Sequence, residues 1–287
     1  MLCIIQKKAV TLQSFCKRKQ RSYNKMKYNY EYEIKYQEVD GAKKLRLFNL
    51  ENYLLEVAGT VADELGFGIA ALHPRGLTWI LTRLSVEMYE LPTHCQQVRF
   101  ETWIESNSHM LSTRDFRIYA KPSEFSHQPS DEWILIGQCK SVWAVLDLEK
   151  REIVNIFDDP MFADCVDGEV IEMSRVRMTT IPEPTGVESH KVVYSDIDYN
   201  GHCNSCRYLQ AMTDAYLPDY YGKRVRLDIS YSKEAMEGET LQTMYLVTDE
   251  GVQYQQKNGA GETSCSAKLT ILSPKGHDYL TKSNLDN

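Results

Sequence analysis

The sequence predicts an α+β chain made of one helix-and-sheet unit followed by another, and three observations lead there. Apolar residues at three-and-four spacing run from Leu50 to Leu65, strict alternation takes over at Thr78, and the same order returns 143 positions later. In the first stretch Leu50, Tyr53, Leu54, Val57, Ala58, Val61, Ala62 and Leu65 share one face of a helix, with Asn49 placed to cap its start and Gly66 or Gly68 to end it. From Thr78 to Tyr89, Ile80, Leu84, Val86 and Met88 alternate with Arg83, Ser85, Glu87 and Tyr89, which is strand spacing. Val98 to Ile104, Ser112 to Tyr119 and Trp133 to Leu146 continue it, and Asp147 to Arg151 reads as a turn into a further strand at Glu152 to Ile156. A helix with one apolar face beside several antiparallel strands buries both surfaces in two layers.

The segment from Asp158 to His190 begins acidic and contains Pro182 and Pro184, so it reads as the crossing between units. An extended stretch at Val192 to Tyr194 leads to a second helix capped by Asn204, with Tyr208, Leu209, Met212, Ala215 and Tyr216 on its apolar face and Pro218 near its end. Strand spacing resumes at Val225 to Tyr231, Leu241 to Val247, Val252 to Gln256 and Ser264 to Leu272. Setting Leu84 on Leu227 also aligns Val86, Met88 and Val98 with Ile229, Tyr231 and Leu241 without a gap. Identity in that window is very low, so pattern and order carry the reading of a tandem duplication. The expected division is a basic, unstructured tail at 1–25, a first unit at 26–165, a linker at 166–190 and a second unit at 191–287.

Composition removes several function classes. The 287 residues are 43% hydrophobic and 25% charged, the proportions of a soluble globular protein. At roughly 150 residues per domain, that length suits two units. No apolar run approaches the roughly 20 residues of a membrane span. The net charge of −7 disfavours a nucleic-acid binder. Before Glu31 stand eight lysines or arginines and no acid, while Leu2 to Ile5 is too short for a secretory core. Of the eight cysteines only Cys203 and Cys206 are spaced Cys-x-x-Cys, and with no second pair a zinc site is not expected. Reduced packing thiols in a cytoplasmic protein are the simpler reading.

Chemistry concentrates in Ser195-Asp196-Ile197-Asp198-Tyr199-Asn200-Gly201-His202-Cys203-Asn204, between an extended segment and the second helix. A helix start has unpaired N–H groups and partial positive charge that stabilise an oxyanion, and histidine moves protons near neutral pH. Asp, Asn and Gly are equally the ordinary residues of a turn before a helix, so composition alone leaves both readings open. Gly-rich phosphate loops, His-Glu-x-x-His and Gly-x-Ser-x-Gly are absent, which leaves kinase, zincin and serine-hydrolase chemistry without a motif.

The run Asp198-x-Asn200-x-His202-x-Asn204 with Tyr208, followed by Tyr231-Ser232-Lys233-Glu234, resembles the signature of the plant and bacterial fatty acyl-ACP thioesterases. Trp79-Ile80-Leu81-Thr82-Arg83, Leu91-Pro92-Thr93, Thr102-Trp103 and Arg114-Asp115-Phe116 extend the likeness into the first unit. The resemblance implies two tandem hotdog units, each a long helix wrapped by an antiparallel sheet. It also implies hydrolysis of fatty acyl thioesters of acyl carrier protein, with no metal or organic cofactor and with that carrier as partner. Carried over, Asp198, Asn200 and His202 match the catalytic loop and Glu234 the acidic residue on the following strand. Many plant relatives have cysteine directly after that glutamate. Ala235 stands there in this chain, so no thiol at that position attacks.

On this reading Glu234 activates water, with direct attack by its carboxylate as the lesser variant, Asn200 orients water or thioester, His202 protonates the leaving thiolate or helps bind the carbonyl, and Asp198 fixes the geometry of Asn200 and His202. Backbone N–H groups near Gly201 and His202 would receive the oxyanion, each good donor contributing roughly 3 to 4 kcal/mol. Tyr53, Val57, Val61, Leu65, Trp79, Ile80 and Met88 are candidate walls of an acyl pocket, with plain core as the alternative. Lys43, Lys44 and Arg46, or Lys223, Arg224 and Arg226, are candidate docking clusters for an acidic carrier. The rivals are a hotdog hydratase or dehydratase, which usually has proline where Gly201 stands, and a non-catalytic acyl-thioester sensor. Monomer and homodimer are both open.

Overall fold

The computed structural model describes residues 26–122, 131–157, 159–162 and 165–272. The basic segment 1–25 lies outside them. Ten antiparallel strands form one sheet: β1 (Tyr28–Glu33), β2 (Leu77–Met88), β3 (Gln97–Asn107), β4 (Ser112–Ala120), β5 (Ile134–Asp147), β6 (Gly186–Lys191), β7 (Arg224–Tyr231), β8 (Thr240–Thr248), β9 (Gly251–Lys257) and β10 (Thr263–Leu272). Their spatial order is β1-β3-β4-β5-β2-β7-β10-β9-β8-β6. From either outer edge inward the connectivity is the same, because β1, β3, β4, β5 and β2 correspond to β6, β8, β9, β10 and β7. The repeat expected from the residue pattern is therefore present in the strand order.

The helices are α1 (Leu47–Leu65), the single turn α2 (Ile69–Leu72) and α3 (Ser205–Ala215). α1 begins a turn earlier than its apolar spacing suggests, after Arg46, because the Asn49 amide donates to Glu38 O (2.9 Å) and does not cap the helix. It ends as expected at Gly66, whose φ of 85° is a left-handed C-cap. Asn204 caps α3, its side chain accepting from Cys206 N. The main core joins Leu50, Leu54 and Val57 of α1 and Leu209 and Met212 of α3 to sheet residues of both halves, among them Phe100, Phe116, Leu227 and Leu269.

Three local expectations are corrected. Glu152 to Ile156 makes one isolated bridge, Leu146 to Ile153, and no strand, since Ile156 N turns away to His109 O. Strand β6 ends at Lys191, Val193 is still extended (φ −120°, ψ 171°), and Tyr194–Asp196 is a short 3-10 turn. Strand β1 was not read from the sequence, although Tyr28, Tyr30 and Tyr32 alternate with exposed Asn29, Glu31 and Glu33.

Candidate active site

The loop before α3 is organised around one carboxylate. Asp198 Oδ1 accepts from Asn200 N (2.8 Å) and His202 N (3.3 Å), Asp198 O accepts from Gly201 N (3.0 Å), and Asp198 N donates to His202 O (2.8 Å). The bridge between Ile197 and Cys203 closes the turn. Gly201 has φ of 82°, a left-handed conformation that side-chain-bearing residues rarely adopt. One expectation is overturned here: the Gly201 and His202 N–H groups are already held by Asp198 and are not spare oxyanion donors. The side-chain amide of half-buried Asn200 has no hydrogen-bond partner among the described residues, so it is the donor left over.

Glu234 approaches from the other side. It does not lie on a strand: β7 stops at Tyr231, and Ser232 N and Lys233 N both turn into Ser264 O (2.9 and 3.2 Å). The next residue then anchors the chain. Ala235 N donates to the Tyr208 hydroxyl (2.8 Å), Ala235 O accepts from Cys203 N (2.8 Å), and Ala235 is fully buried. This clamp brings Glu234 Oε2 to 3.5 Å from His202 Nε2, and Arg151, from the turn after β5, pairs with the same oxygen. In the sequence Arg151 reads only as a turn residue.

A cavity of about 240 Å³ opens beside this loop. Its lining includes Ala58, Gly59, Ala62, Trp79, Arg114 and Tyr199. Tyr199, 65% exposed, sits at the mouth, and its ring lies 5.8 Å from that of His73. The Arg114 guanidinium is buried, with a long contact to Thr102 Oγ1 (3.4 Å), and burial lowers its pKa to about 10. Of the expected wall residues Trp79 lines this cavity. Tyr53, Val57 and Met88 belong to the main core, and Tyr53 donates its hydroxyl to Glu38 (2.7 Å). The reason is rotational: residues 53, 57 and 61 centre the apolar stripe, whereas the small side chains at 58, 59 and 62 leave the space. Met88, with Glu51, Leu84 and Leu227, borders a separate pocket of about 10 Å³.

Cys139, Cys203, Cys206 and Cys265 are buried free thiols, and burial pushes Cys203 up to about 12. Cys3 and Cys16 lie outside the described residues. In the candidate docking clusters Lys44 pairs with Glu90 (3.4 Å) and Lys223 with Asp219 (3.4 Å), while Arg226 is buried between Asp228 (2.8 Å) and Glu87 (3.2 Å). Among the described residues no His, Cys, Asp and Glu cluster could hold a metal, and no helix is long and apolar enough to cross a membrane.

Residues 25–162 match the acyl-ACP thioesterase N-terminal domain, and residues 182–280 match the C-terminal domain. The oleoyl-acyl carrier protein thioesterase, chloroplastic, of Coriandrum sativum is 23% identical over 206 residues, covering 64% of this chain and 52% of that protein. The chain thus spans about half the length of the curated relatives it matches. An acyl-ACP thioesterase from Bacteroides thetaiotaomicron superposes with a TM-score of 0.70 at 28% identity, covering 86% of this chain and 98% of that one. The 12:0-ACP thioesterase from Umbellularia californica superposes with a TM-score of 0.71 at 18% identity, covering 88% and 100%. With matches on both halves, in order and over most of its length, the chain belongs to the acyl-ACP thioesterase family.

Proposed function

We propose that this protein hydrolyses fatty acyl thioesters of acyl carrier protein, using Glu234, His202 and Asn200 on water and thioester. The observation that carries the reading is the contact of Glu234 with His202 at 3.5 Å, on a loop whose Tyr199 also lines the cavity. A carboxylate and an imidazole this close can take a proton and return it. The acyl chain enters past Tyr199 into the apolar space under α1, and the thioester stays at the loop. Glu234 removes a proton as water attacks the carbonyl carbon. The Asn200 amide donates to the oxyanion. The proton passes to His202 and on to sulfur as the C–S bond breaks, giving the fatty acid and the carrier thiol. Asp198 positions Asn200 and His202 through the backbone.

The duplicated strand order and the likeness to the Bacteroides and Umbellularia structures support tandem hotdog units, the first supplying most of the cavity and the second the reacting groups. Reduced, buried thiols are in keeping with a cytoplasmic location. Every named group comes from one chain, so the proposal does not require a dimer. Thiol release from acyl-carrier esters tests it: release with the wild type and a loss of about 100-fold or more in Asn200→Ala supports hydrolysis. Loss of enoyl absorbance without thiol release would show a hydratase instead, and ligand binding without turnover would show a sensor.

A further inference from the structure

Building on the reading of the cavity as the acyl site, we infer that Arg114 and Ser112 form a polar subsite in its wall, which selects acyl chains carrying an oxygen acceptor, a carboxylate or a hydroxyl, over plain hydrocarbon chains. Both residues lie on one face of β4, and both line the cavity with Ala58, Gly59 and Ala62 of α1. Arg114 is 4% exposed, and the single hydrogen bond of its guanidinium among the described residues is the long one to Thr102 Oγ1 (3.4 Å). The Thr102 hydroxyl is itself committed, donating to Asp115 O (2.8 Å). The buried Ser112 hydroxyl has no hydrogen-bond partner among the described residues.

Among the described residues no counter-charge meets this guanidinium. Asp115, next in sequence, falls on the opposite face of the strand, where its carboxylate accepts from Ile171 N (2.8 Å) and lies 3.7 Å from Lys140. Asp63 of α1 also lines the cavity, but it is exposed and makes no ion pair with Arg114. Arg226 shows what the fold supplies to a buried guanidinium that serves structure: carboxylates of Asp228 at 2.8 Å and Glu87 at 3.2 Å. A buried cation without such partners is costly to the folded state, so Arg114 is not explained by stability.

The cavity supplies the missing partner. Water meets the spare N–H groups until an acyl chain displaces it, and methylenes accept no hydrogen bond, so a plain chain that reaches Arg114 leaves a cation unpaired. A carboxylate matches the planar fork of the guanidinium and neutralises it, while a hydroxyl accepts from one arm; Ser112 adds a further donor. Elsewhere in the wall the indole N–H groups are taken, that of Trp79 by Phe67 O (2.9 Å) and that of Trp143 by Ser141 Oγ (2.8 Å). Away from Tyr199 at the mouth, the spare donors are therefore gathered at Arg114 and Ser112, and an oxygen is recognised at one place along the chain. A site built around a buried donor discriminates strongly against the analogue that lacks the acceptor.

The test is kcat/KM for thiol release by the full chain from acyl-carrier esters of one length: plain, hydroxylated at successive carbons, or bearing a terminal carboxylate. At least one oxygenated ester should exceed the plain one by about 10-fold or more, and this wild-type series needs no variant to fold. Arg114→Met, uncharged and similar in reach, should abolish that preference and raise kcat/KM for the plain ester, with Tm no lower than wild type because no ion pair is lost. Arg114→Lys should keep part of the preference. Cleavage of the plain ester as fast as every oxygenated one, or an oxygen preference that survives Arg114→Met, overturns the inference. If the wild type releases no thiol from any ester, the hydrolysis reading fails on its own; the affinities of the same esters, measured by calorimetry on wild type and Arg114→Met, then decide the role of Arg114 by the same ratios.

Discussion

Glu234 owes its place to residues that do no chemistry. The Ala235 backbone is pinned by Tyr208 and Cys203, so the carboxylate beside it is presented to His202 from a segment that has left the sheet. Glu234→Gln, nearly isosteric, should cut thiol release by about 100-fold or more while Tm and circular dichroism stay near wild type. A second carboxyl group, Glu51, lies fully buried in α1 and accepts from the Tyr231 hydroxyl; burial raises its pKa to about 7. The folded state therefore holds this proton more tightly than the unfolded chain, so the residue reduces stability as pH rises from about 4.5 to about 7. Glu51→Gln keeps an acceptor for Tyr231. Its Tm should match the wild type near pH 4.5 and exceed it progressively up to pH 8; a constant difference across that range would contradict the assignment.

At the level of elements, α1 separates core from cavity by side-chain size. Gly59 faces the cavity, and a Cβ there would meet nothing within 4 Å. Gly59→Ala should raise stability by about 0.5 to 1 kcal/mol, measured by denaturant unfolding, because a helix-interior glycine is costly. Gly59→Leu should instead fill the cavity and lower kcat/KM for the longest accepted acyl ester by about 10-fold, leaving short esters unaffected, a difference of about 1.4 kcal/mol. This helix also shows what could be read in advance. The spacing of Leu50, Leu54 and Val57 announces its buried stripe, yet spacing cannot tell which flank of the stripe meets empty space. That depends on Trp79, Ile104 and Trp143 arriving from distant strands. Likewise Asn204 was legible as a cap from its local chemistry. The Arg151 to Glu234 contact spans 83 positions and two halves of the chain, and no local pattern encodes it.

Across the whole molecule, the halves are joined by β2 and β7, paired antiparallel from Arg83↔Ser230 to Met88↔Val225. Beside this ladder Ser85 Oγ donates to Asp228 Oδ1 (2.7 Å), and buried Arg226 pairs with Asp228 and Glu87. Asp228→Ala would leave that guanidinium with one carboxylate fewer in a buried setting, and chemical unfolding should show a loss of about 3 to 5 kcal/mol. An intact joint matters for turnover as well as stability, since most of the cavity comes from one half and the loop with Glu234 from the other. The most direct test of hydrolysis at this site is single-turnover thiol release from acyl-carrier ester by wild type and Glu234→Gln. Free thiol and fatty acid should appear in equal amounts with the wild type, and at least 100-fold more slowly with the variant. Equal rates in the two proteins, or no thiol from the wild type, would contradict a carboxylate-driven thioesterase.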